Sequence, residues 1–457
     1  MMNWADLLST SRIGMDEDAP AGREESPFLL DLDRITFSSF FRRLQDKTQV
    51  HPLSVGGRVR SRLTHSVEVA SVGRSLGFGV GRQLIEGGRN IPTHISAHDF
   101  GYIVQVACLS HDIGNPPFGH AGESAIGQWF QENRDVVFRA DMSDAQKRDL
   151  LAFEGNAQGF RILNKLDYFR ENGGFRMSYA ALGAFTKYPG DASIPNRPGI
   201  EAKKAGFCQS EKEIFEKVAR RLGLIRRGED HLWCRHPLAY LMEAADDICY
   251  RVADLEDGVT MECVSFNEVE HHLAPLAWSH KHGDTIAARR AHLLSQGWYG
   301  DMDQSEKLGF LRSKAISNLI KATVDAFIEH EEALLKGEFD QELLAATPFA
   351  QEAQACKTFA GRSIFGTRRK LEIETASYEV LGFLLDVFCR AMLDFEKCGG
   401  DIKRMSAKHK HVIQLLEYPF VFKDDRYEHL MQVSDFVSGL SDRAAVNMFK
   451  VLKGISL

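Results

Sequence analysis

The sequence lacks the features that would place the chain in a membrane or in a disulfide-rich secreted class. No stretch approaches the roughly 20 uninterrupted apolar residues that a membrane-spanning helix needs. The first residues, MMNWADLLSTSRIGMDEDAP, lack the basic and then apolar pattern of a secretory signal. The eight cysteines are scattered with no CxxC pair, which indicates buried thiols in a reducing compartment. We therefore expect a cytoplasmic protein that has no membrane contact.

An excess of positive charge is also missing. The formal net charge is -7, from 56 lysines and arginines against 63 aspartates and glutamates. This balance argues against a broadly basic surface for nucleic acid, although it leaves room for a local cationic pocket. If the ligand is a polyphosphate, its basic partners must be concentrated at one site.

Proline is scarce as well, and apolar residues recur at helical spacing, so the sequence predicts an all-α protein. Residues 187–209 hold three prolines and three glycines and are predicted to form a loop. The chain is expected to divide into an N-terminal arm at 1–30, a core at 31–265 and a C-terminal helical region at 266–457 that packs on the core. Helices are predicted at 63–78, 99–111, 144–166, 210–223, 236–257, 305–337, 371–396 and 426–453.

One run, HDIGNPPFGHAGE at 111–123, collects titratable side chains beside a proline break. His111 and Asp112 end an apolar helix that Gly114 and the two prolines interrupt, and neighbouring residues can share one ion only near such an end. One imidazole and one carboxylate form half of a mixed N/O site for divalent Mn, Fe, Ni, Zn or Mg. The remaining ligands must therefore come from other helices.

Two other apolar helices carry polar residues that could complete this site. In RSRLTHSVEVA, His65 lies near a helix start, and Arg62 lies one turn earlier on the same face, where it suits an anionic substrate. In LMEAADDICYRVADLEDG, Asp246, Tyr250 and Asp254 recur every four residues and share one helix face. Polar side chains on a buried face need a common partner, and a metal with bound substrate would supply it. The predicted metal ligands are His65, His111, Asp112 and Asp246.

The second half of the same run supplies a pair for proton transfer. His120 and Glu123 are three residues apart on the helix that starts after the prolines, so their side chains are neighbours. A carboxylate that tunes the protonation of a histidine is typical of a general acid or base. We predict His120 and Glu123 as the catalytic residues, and either direction of proton transfer fits the pattern.

Together these motifs resemble a known family. The order H…HD…D is similar to the motif of the HD superfamily of metal-dependent phosphohydrolases. The longer segments around these residues resemble the bacterial deoxyguanosine triphosphate triphosphohydrolase-like proteins. The C-terminal half resembles the family chiefly in VSDFVSGLSDRAAVNMF at 433–449. The other resembling segments are FSSFFRRLQDKTQV (37–50), RSRLTHSVEVA (60–70), HDIGNPPFGHAGE (111–123), FEGNAQGFRIL (153–163), FTKYP (185–189) and LMEAADDICYRVADLEDG (241–258).

The resemblance implies an α-helical HD fold with an additional C-terminal helical subdomain, in a homo-oligomer that is often hexameric. It implies hydrolysis of a deoxynucleoside triphosphate, with dGTP expected, to deoxynucleoside and intact triphosphate, with Mn or Mg as the expected metal and Ni, Fe or Zn as alternatives. It repeats the four metal ligands and the His120–Glu123 pair. By motif, the residues that contact the triphosphate, the sugar or the base are Gln49, Arg62, Asn156, Lys187, Tyr250 and Asp254.

Two other readings of the same residues stay open. Another HD phosphohydrolase, acting on nucleoside monophosphates or on oligonucleotides, could use the same metal set, although Arg62 and Lys187 favour a triphosphate. A regulatory protein could keep the fold and bind nucleotide or nucleic acid without catalysis. With any of these interpretations, including the triphosphohydrolase, single-stranded DNA or a dNTP could bind as an effector.

Overall fold

The structure, a computed structural model, describes residues 1–15, 26–47, 60–166, 174–193, 199–228, 231–277, 291, 295–364, 368–416 and 424–455. These residues form helices and no β-strand, with four isolated β-bridges between loops. The predicted all-α fold is therefore confirmed. None of the described helices combines the length and the apolar character that a membrane span requires.

The α-helices follow one another in chain order: α1 (Trp4–Leu7), α2 (Leu29–Thr36), α3 (Ser39–Arg43), α4 (Arg62–Glu86), α5 (Ala97–Ser110), α6 (His120–Glu132), α7 (Arg134–Val137), α8 (Asp144–Leu151), α9 (Gly155–Arg161), α10 (Tyr179–Phe185), α11 (Lys212–Arg221), α12 (Pro237–Thr260), α13 (Phe266–Ala277), α14 (Gly297–Gly300), α15 (Gln304–Glu329), α16 (Glu331–Lys336), α17 (Ala350–Ser363), α18 (Arg368–Lys397), α19 (Ala407–Gln414), α20 (Arg426–Gly439) and α21 (Asp442–Leu452). Short 3₁₀ turns lie at Leu44–Asp46, Ile200–Ala202, Gln209–Glu211, Leu343–Ala346 and Ile402–Arg404, and Ile162–Leu166 is a π turn.

A close approach between α4 and α5 brings two of the site-bearing helices together. Gly73, Gly77 and Gly81 recur every four residues on α4 and face α5. A Cβ at Gly77 would lie 2.4 Å from the carbonyl oxygen of Phe100, and one at Gly73 would lie 2.4 Å from Sγ of Cys108. The glycines therefore let the helices pack at a distance that larger side chains would prevent.

Arg60 fixes the start of α4 against α12. Its guanidinium donates to Glu68 on α4 at 2.7 Å, and to Glu256 and Asp257 on α12. Ser61 then caps the first turn of α4 through a reciprocal capping box with Thr64. These contacts hold the start of α4, which carries the predicted ligand His65, against the C-terminal end of α12.

The hydrophobic core consists of two clusters, and both cross the predicted boundary at residue 265. The first contains buried side chains from residue 2 to residue 364, and the second joins α6, α8 and α9 to residues 380–445. The boundary falls in the turn between α12 and α13, but it does not separate two cores. The three-part division of the chain stays a prediction.

The predicted N-terminal arm is packed on the core where the structure describes it. Trp4 on α1 is buried and donates from Nε1 to Oε1 of Glu331 at 3.0 Å, and Met2 donates from its backbone nitrogen to the Leu335 carbonyl at 2.8 Å. The polar composition of residues 1–30 gave no indication of these buried contacts. Residues 16–25 lie outside the described part of the chain.

Candidate active site

Three of the four predicted metal ligands meet at one point. His65 comes from the first turn of α4, His111 from the end of α5 and Asp246 from the middle of α12. Each offers one ligand atom, and these atoms all lie within 4.8 Å of one another. Residues separated by as many as 181 positions therefore converge as a mixed nitrogen and oxygen group.

The spacing within this group suits a shared cation. Nε2 of His65 lies 3.0 Å from Oδ1 of Asp246, and Nε2 of His111 lies 3.7 Å from the same oxygen. Two ligands that each lie about 2.1 Å from one ion can be at most about 4.2 Å apart, so both distances are compatible with a common ion. Nδ1 of His111 lies 2.6 Å from the carbonyl oxygen of Cys108, which can only accept. The proton of a neutral His111 therefore sits on Nδ1, and Nε2 keeps its lone pair for a metal.

Asp112, the fourth predicted ligand, adjoins this group but does not belong to it. Its Oδ2 accepts from Nη1 of Arg62 at 2.7 Å, and its Oδ1 accepts from the side-chain amide of Asn115. Although burial alone would raise the pKa of Asp112, the charges of Arg62 and His111 lower it to about 2. Oδ1 lies 3.6 Å from Nε2 of His111, close enough to share an ion through its second lone pair. Its role as a ligand stays a prediction.

The charges of the group stabilise one another, with His65 fully buried and Asp246 partly exposed. Burial by itself would lower the pKa of His65, but the Asp246 carboxylate raises it. Burial would likewise raise the pKa of Asp246, but His111 and His65 hold it well below its usual range. An ionised carboxylate facing two imidazoles is a donor set that a divalent cation can occupy.

The other polar residues on the same face of α12 are more enclosed than the sequence suggested. Asp254 is fully buried, and neither of its carboxylate oxygens has a hydrogen-bond partner among the described residues. Burial raises the pKa of Asp254 to about 8, although His65 lowers it, and burial raises the pKa of Tyr250 to about 12. Contact of Tyr250 and Asp254 with a substrate therefore stays a prediction.

His120 and Glu123 form the predicted pair at the start of α6. Nδ1 of His120 lies 2.7 Å from Oε2 of Glu123, and Oε1 of Glu123 accepts from the backbone nitrogen of Gly155 at 2.8 Å. Burial would raise the pKa of Glu123, but the hydrogen bond and charge of His120 lower it. The side chain of His120 is 83% exposed, so its Nε2 edge can meet a ligand from solvent.

The turn that precedes this pair has an unusual backbone. Phe118 and Gly119 both have positive φ, of 64° and 60°. A bulky residue such as Phe118 rarely adopts this conformation, so the surroundings must enforce it. The preceding helix, α5, already ends at Ser110, and this turn orients α6 so that His120 lies in its first turn.

The EGNAQG segment packs directly on the HDIGN segment. A Cβ at Gly114 would lie 2.2 Å from the carbonyl oxygen of Gly155, and a Cβ at Gly155 would lie 2.3 Å from Oδ1 of Asn115. A larger residue at Gly114 would therefore press on the backbone of α9, whereas one at Gly155 would displace the ends of the Asn115 and Glu123 side chains. Asn156, a predicted substrate contact, donates from its side-chain amide to Oε1 of Glu154 at 2.7 Å.

Two cations adjoin the metal-ligand group. Arg62 contacts Asp112 as described above, and Nζ of Lys187 lies 3.2 Å from Oε1 of Glu243 on α12. Burial would lower the pKa of Lys187, but Glu243, with a further contribution from Asp246, raises it. Arg62 and Lys187 are therefore both charged. Arg62 lies beside Asp112 and Lys187 lies near Asp246, the two carboxylates predicted to bind the metal.

Other residues of the site were missed by sequence reasoning, and one predicted residue is not described. Lys47, buried beside the HDIGN segment, and Asp442, at the start of α21, both touch the turn before α6. Both residues lie in segments that resemble the family, and this resemblance was the one indication in the sequence that they could belong to the site. No pattern of residue types singled them out. Gln49 lies outside the described residues.

The comparisons with known proteins agree with this geometry. Residues 62–155 match the HD domain, an all-helical fold of metal-dependent phosphohydrolases. Deoxyguanosinetriphosphate triphosphohydrolase-like proteins of Pseudomonas aeruginosa and Synechocystis are 41% and 40% identical to the chain, over all of it and over 99% and 100% of their own lengths. The deoxyguanosinetriphosphate triphosphohydrolase of Salmonella paratyphi A is 30% identical over 94% of each chain.

The helical fold and the His/His/Asp group define an HD-domain phosphohydrolase. More narrowly, because the similarity to these relatives runs through the whole chain, the chain belongs to the deoxyguanosinetriphosphate triphosphohydrolase-like family.

Proposed function

We propose that the chain hydrolyses deoxynucleoside triphosphates, with dGTP as the expected substrate, to deoxynucleoside and inorganic triphosphate. The observation that carries the proposal is the convergence of His65, His111 and Asp246 beside two cations, the buried Arg62 and the partly buried Lys187. Carboxylates and imidazoles hold a divalent ion, and the cations suit a polyanionic substrate. The family names of the relatives support the same reaction.

His65, His111 and Asp246 would hold the ion, with Asp112 as the expected fourth ligand. The mixed nitrogen and oxygen set suits Mn or Mg, and it also accepts Ni, Fe or Zn. When bound, a divalent cation supplies Lewis-acid polarisation of a phosphoryl oxygen and a lowered pKa for water. The protein contributes the fixed orientation of the ligands, since His111 is held through Nδ1 and Asp112 through both oxygens.

Arg62 and Lys187 bind the triphosphate in this proposal. Arg62 uses Nη1 on Asp112, while its buried Nε has no partner among the described residues. Guanidinium and ammonium groups offset the charge that develops on the phosphoryl oxygens during attack at the α-phosphorus. Asn156 and Tyr250 are half-buried, and we propose that they contact the substrate together with Gln49 and Asp254.

His120 and Glu123 provide proton transfer. Glu123 holds Nδ1 of His120 and is itself fixed by the amide of Gly155. This arrangement directs Nε2 of His120 outward, where it can give a proton to the leaving 5′ oxygen or take one from the attacking water. The bond between the α-phosphorus and the 5′ oxygen breaks, water supplies the new oxygen on phosphorus, and the 5′ oxygen leaves as a hydroxyl.

A product assay tests the proposal. The purified chain is incubated with each of the four dNTPs, singly and mixed, with Mn²⁺ or Mg²⁺, and the released anion is identified by ion chromatography. Triphosphate is the expected first product, and Asp246→Ala should release none. Asp247→Ala is the matched control, because this neighbouring carboxylate pairs with Arg251 instead of the histidines.

The outcomes separate the alternatives. Pyrophosphate or phosphate as the first product would contradict the proposed reaction, and cleavage of monophosphates or oligonucleotides alone would favour another HD phosphohydrolase. Activation in the dNTP mixture, or by added single-stranded DNA, would identify an effector. We also propose a homo-oligomer, with a hexamer favoured, which light scattering on the same preparation would measure.

A further inference from the structure

The segment at 433–449, which spans the end of α20 and most of α21, has no assigned role in the reaction. It lies far along the chain from the predicted ligands, yet Asp435, Ser438 and Asp442 each contact a motif of the candidate active site. These three residues, named the C-terminal clamp, lie on two consecutive helices: Asp435 and Ser438 are on α20, and Asp442 is the first residue of α21. Their contacts indicate what the segment does.

Asp442 holds the turn before α6. Its Oδ1 accepts from the backbone nitrogen of Phe118 at 2.9 Å, and both groups are buried. Phe118 is the residue with positive φ that orients α6, and its ring packs in the second hydrophobic cluster together with Ala445 of α21. The position of His120 two residues later therefore depends on an acceptor that is 324 positions away.

Ser438 reaches the same turn through Lys47. Nζ of the buried Lys47 donates to the carbonyl of Ser438 at 3.0 Å and to the carbonyl of Asn115 at 2.5 Å. Asn115 in turn donates from its side chain to Oδ1 of Asp112. The backbone oxygen of Lys47 also accepts from the backbone nitrogen of Arg62 at 2.9 Å, so one lysine links the C-terminal clamp to both members of the Arg62–Asp112 pair.

Asp435 holds the third motif, EGNAQGFR. Its carboxylate accepts from Nε and Nη2 of Arg161 at 2.8 Å and from Nε2 of Gln158 at 2.9 Å. Arg161 is almost completely buried and also donates to Glu211 at 2.7 Å. This pairing fixes α9, whose first residue, Gly155, donates to Glu123.

We propose that Asp435 and Asp442, with Lys47, are positioning residues that set the geometry of the His120–Glu123 pair relative to Arg62 and Asp112. The inference rests on the proposed function for its kinetic readout. None of the three touches the His65, His111 and Asp246 group in the structure. Removing Asp442 should therefore lower kcat while metal affinity and KM change little.

Three variants of Asp442 and one control variant test the proposal. Asp442→Ala removes the acceptor, and kcat for dGTP should fall roughly 10- to 100-fold, as for a misplacement of about 1 Å. Asp442→Asn keeps Oδ1 as an acceptor and should restore most of that loss, whereas Asp442→Glu keeps the charge but moves the acceptor and should not. Glu331→Ala is the control for lost stability, because it removes a buried acceptor of Trp4 and Arg89 far from the turn.

Hydrogen exchange gives a readout that does not depend on catalysis. In Asp442→Ala, the peptide that covers 111–123 should exchange faster than in the wild type, while Mn²⁺ binding by calorimetry stays unchanged. In Glu331→Ala, the same peptide should exchange as in the wild type. If Asp442→Ala does not fold, the comparison of Asp442→Asn with Asp442→Glu still tests the proposal.

Two results would overturn the inference: unchanged exchange of the 111–123 peptide in Asp442→Ala, or an equal loss of kcat in the Asn and Glu variants. If the wild type releases no triphosphate at all, the proposed function fails, whereas the exchange comparison still decides the positioning role of Asp442.

Discussion

Gly155→Ala is the sharpest test of the packing between the EGNAQG and HDIGN segments. Gly155 is the first residue of α9 and does not have positive φ, so alanine fits the local backbone. The difficulty is space. A Cβ there would lie 2.3 Å from Oδ1 of Asn115 and 2.9 Å from Oε1 of Glu123.

The displacement follows from these distances. Ordinary contact starts at 3.4 Å, so the Asn115 amide would have to move by 3.4 − 2.3 = 1.1 Å and the Glu123 carboxylate by 3.4 − 2.9 = 0.5 Å. Asn115 orients Asp112, and Glu123 holds His120. A displacement of about 1 Å in a residue that positions the reacting groups can cost on the order of 100-fold in rate, and the overpacking should lower the free energy of unfolding by about 1–3 kcal/mol.

The measurements are kcat and KM for dGTP at saturating Mn²⁺, together with urea unfolding. Gly309→Ala is the matched control, because Gly309 lies inside α15 with no heavy atom within 4 Å of the new Cβ. It should leave kcat unchanged and raise the free energy of unfolding by up to about 1 kcal/mol. A Gly155→Ala protein with wild-type kcat and stability would refute the reasoning, because the two segments could not then be packed as described.

Three further predictions follow from single side chains. Asp246→Asn removes the negative charge that His65 and His111 both face. We expect Mn²⁺ to raise the melting temperature of the wild type but not of this variant, and an equal rise in both would contradict the assignment of Asp246 as a ligand. Lys187→Met should raise KM for dNTPs by about tenfold or more, the loss of one charge-assisted contact, with Mn²⁺ affinity unchanged in calorimetry. Burial lowers the pKa of His236 from 6.5 to about 4, so the unfolded state binds the proton first and the stability from this group is lost as the pH falls from about 6.5 to 4. The free energy of unfolding should fall by about 3 kcal/mol over this range. Urea unfolding measured at a series of pH values should show this fall in the wild type and not in His236→Asn.

The helices at the site were largely predictable because each encodes its own buried face. The expected helix at 236–257 corresponds to α12, and those at 63–78 and 99–111 correspond to α4 and α5. By contrast, the single helix expected at 144–166 is divided into α8, α9 and a π turn. The chain turns at 152–154 so that Gly155 can pack on Gly114, a long-range contact that local periodicity cannot report.

The sequence by itself determined the types of the candidate ligands and the helix faces that carry them. A histidine in the first turn of α4, a His–Asp pair at the end of α5 and an aspartate on an apolar face of α12 were all visible, because helical periodicity is a local property. The His120–Glu123 neighbourhood is local in the same way, since it spans one helical turn.

Only the tertiary structure decided which partners each of these side chains takes. In the folded chain Asp112 is hydrogen-bonded to Arg62 and Asn115, and Asp254 is buried. The C-terminal clamp contacts the turn before α6. These contacts join segments that are separated by as many as 324 residues. They depend on how whole helices pack, and no local pattern of residues encodes that packing.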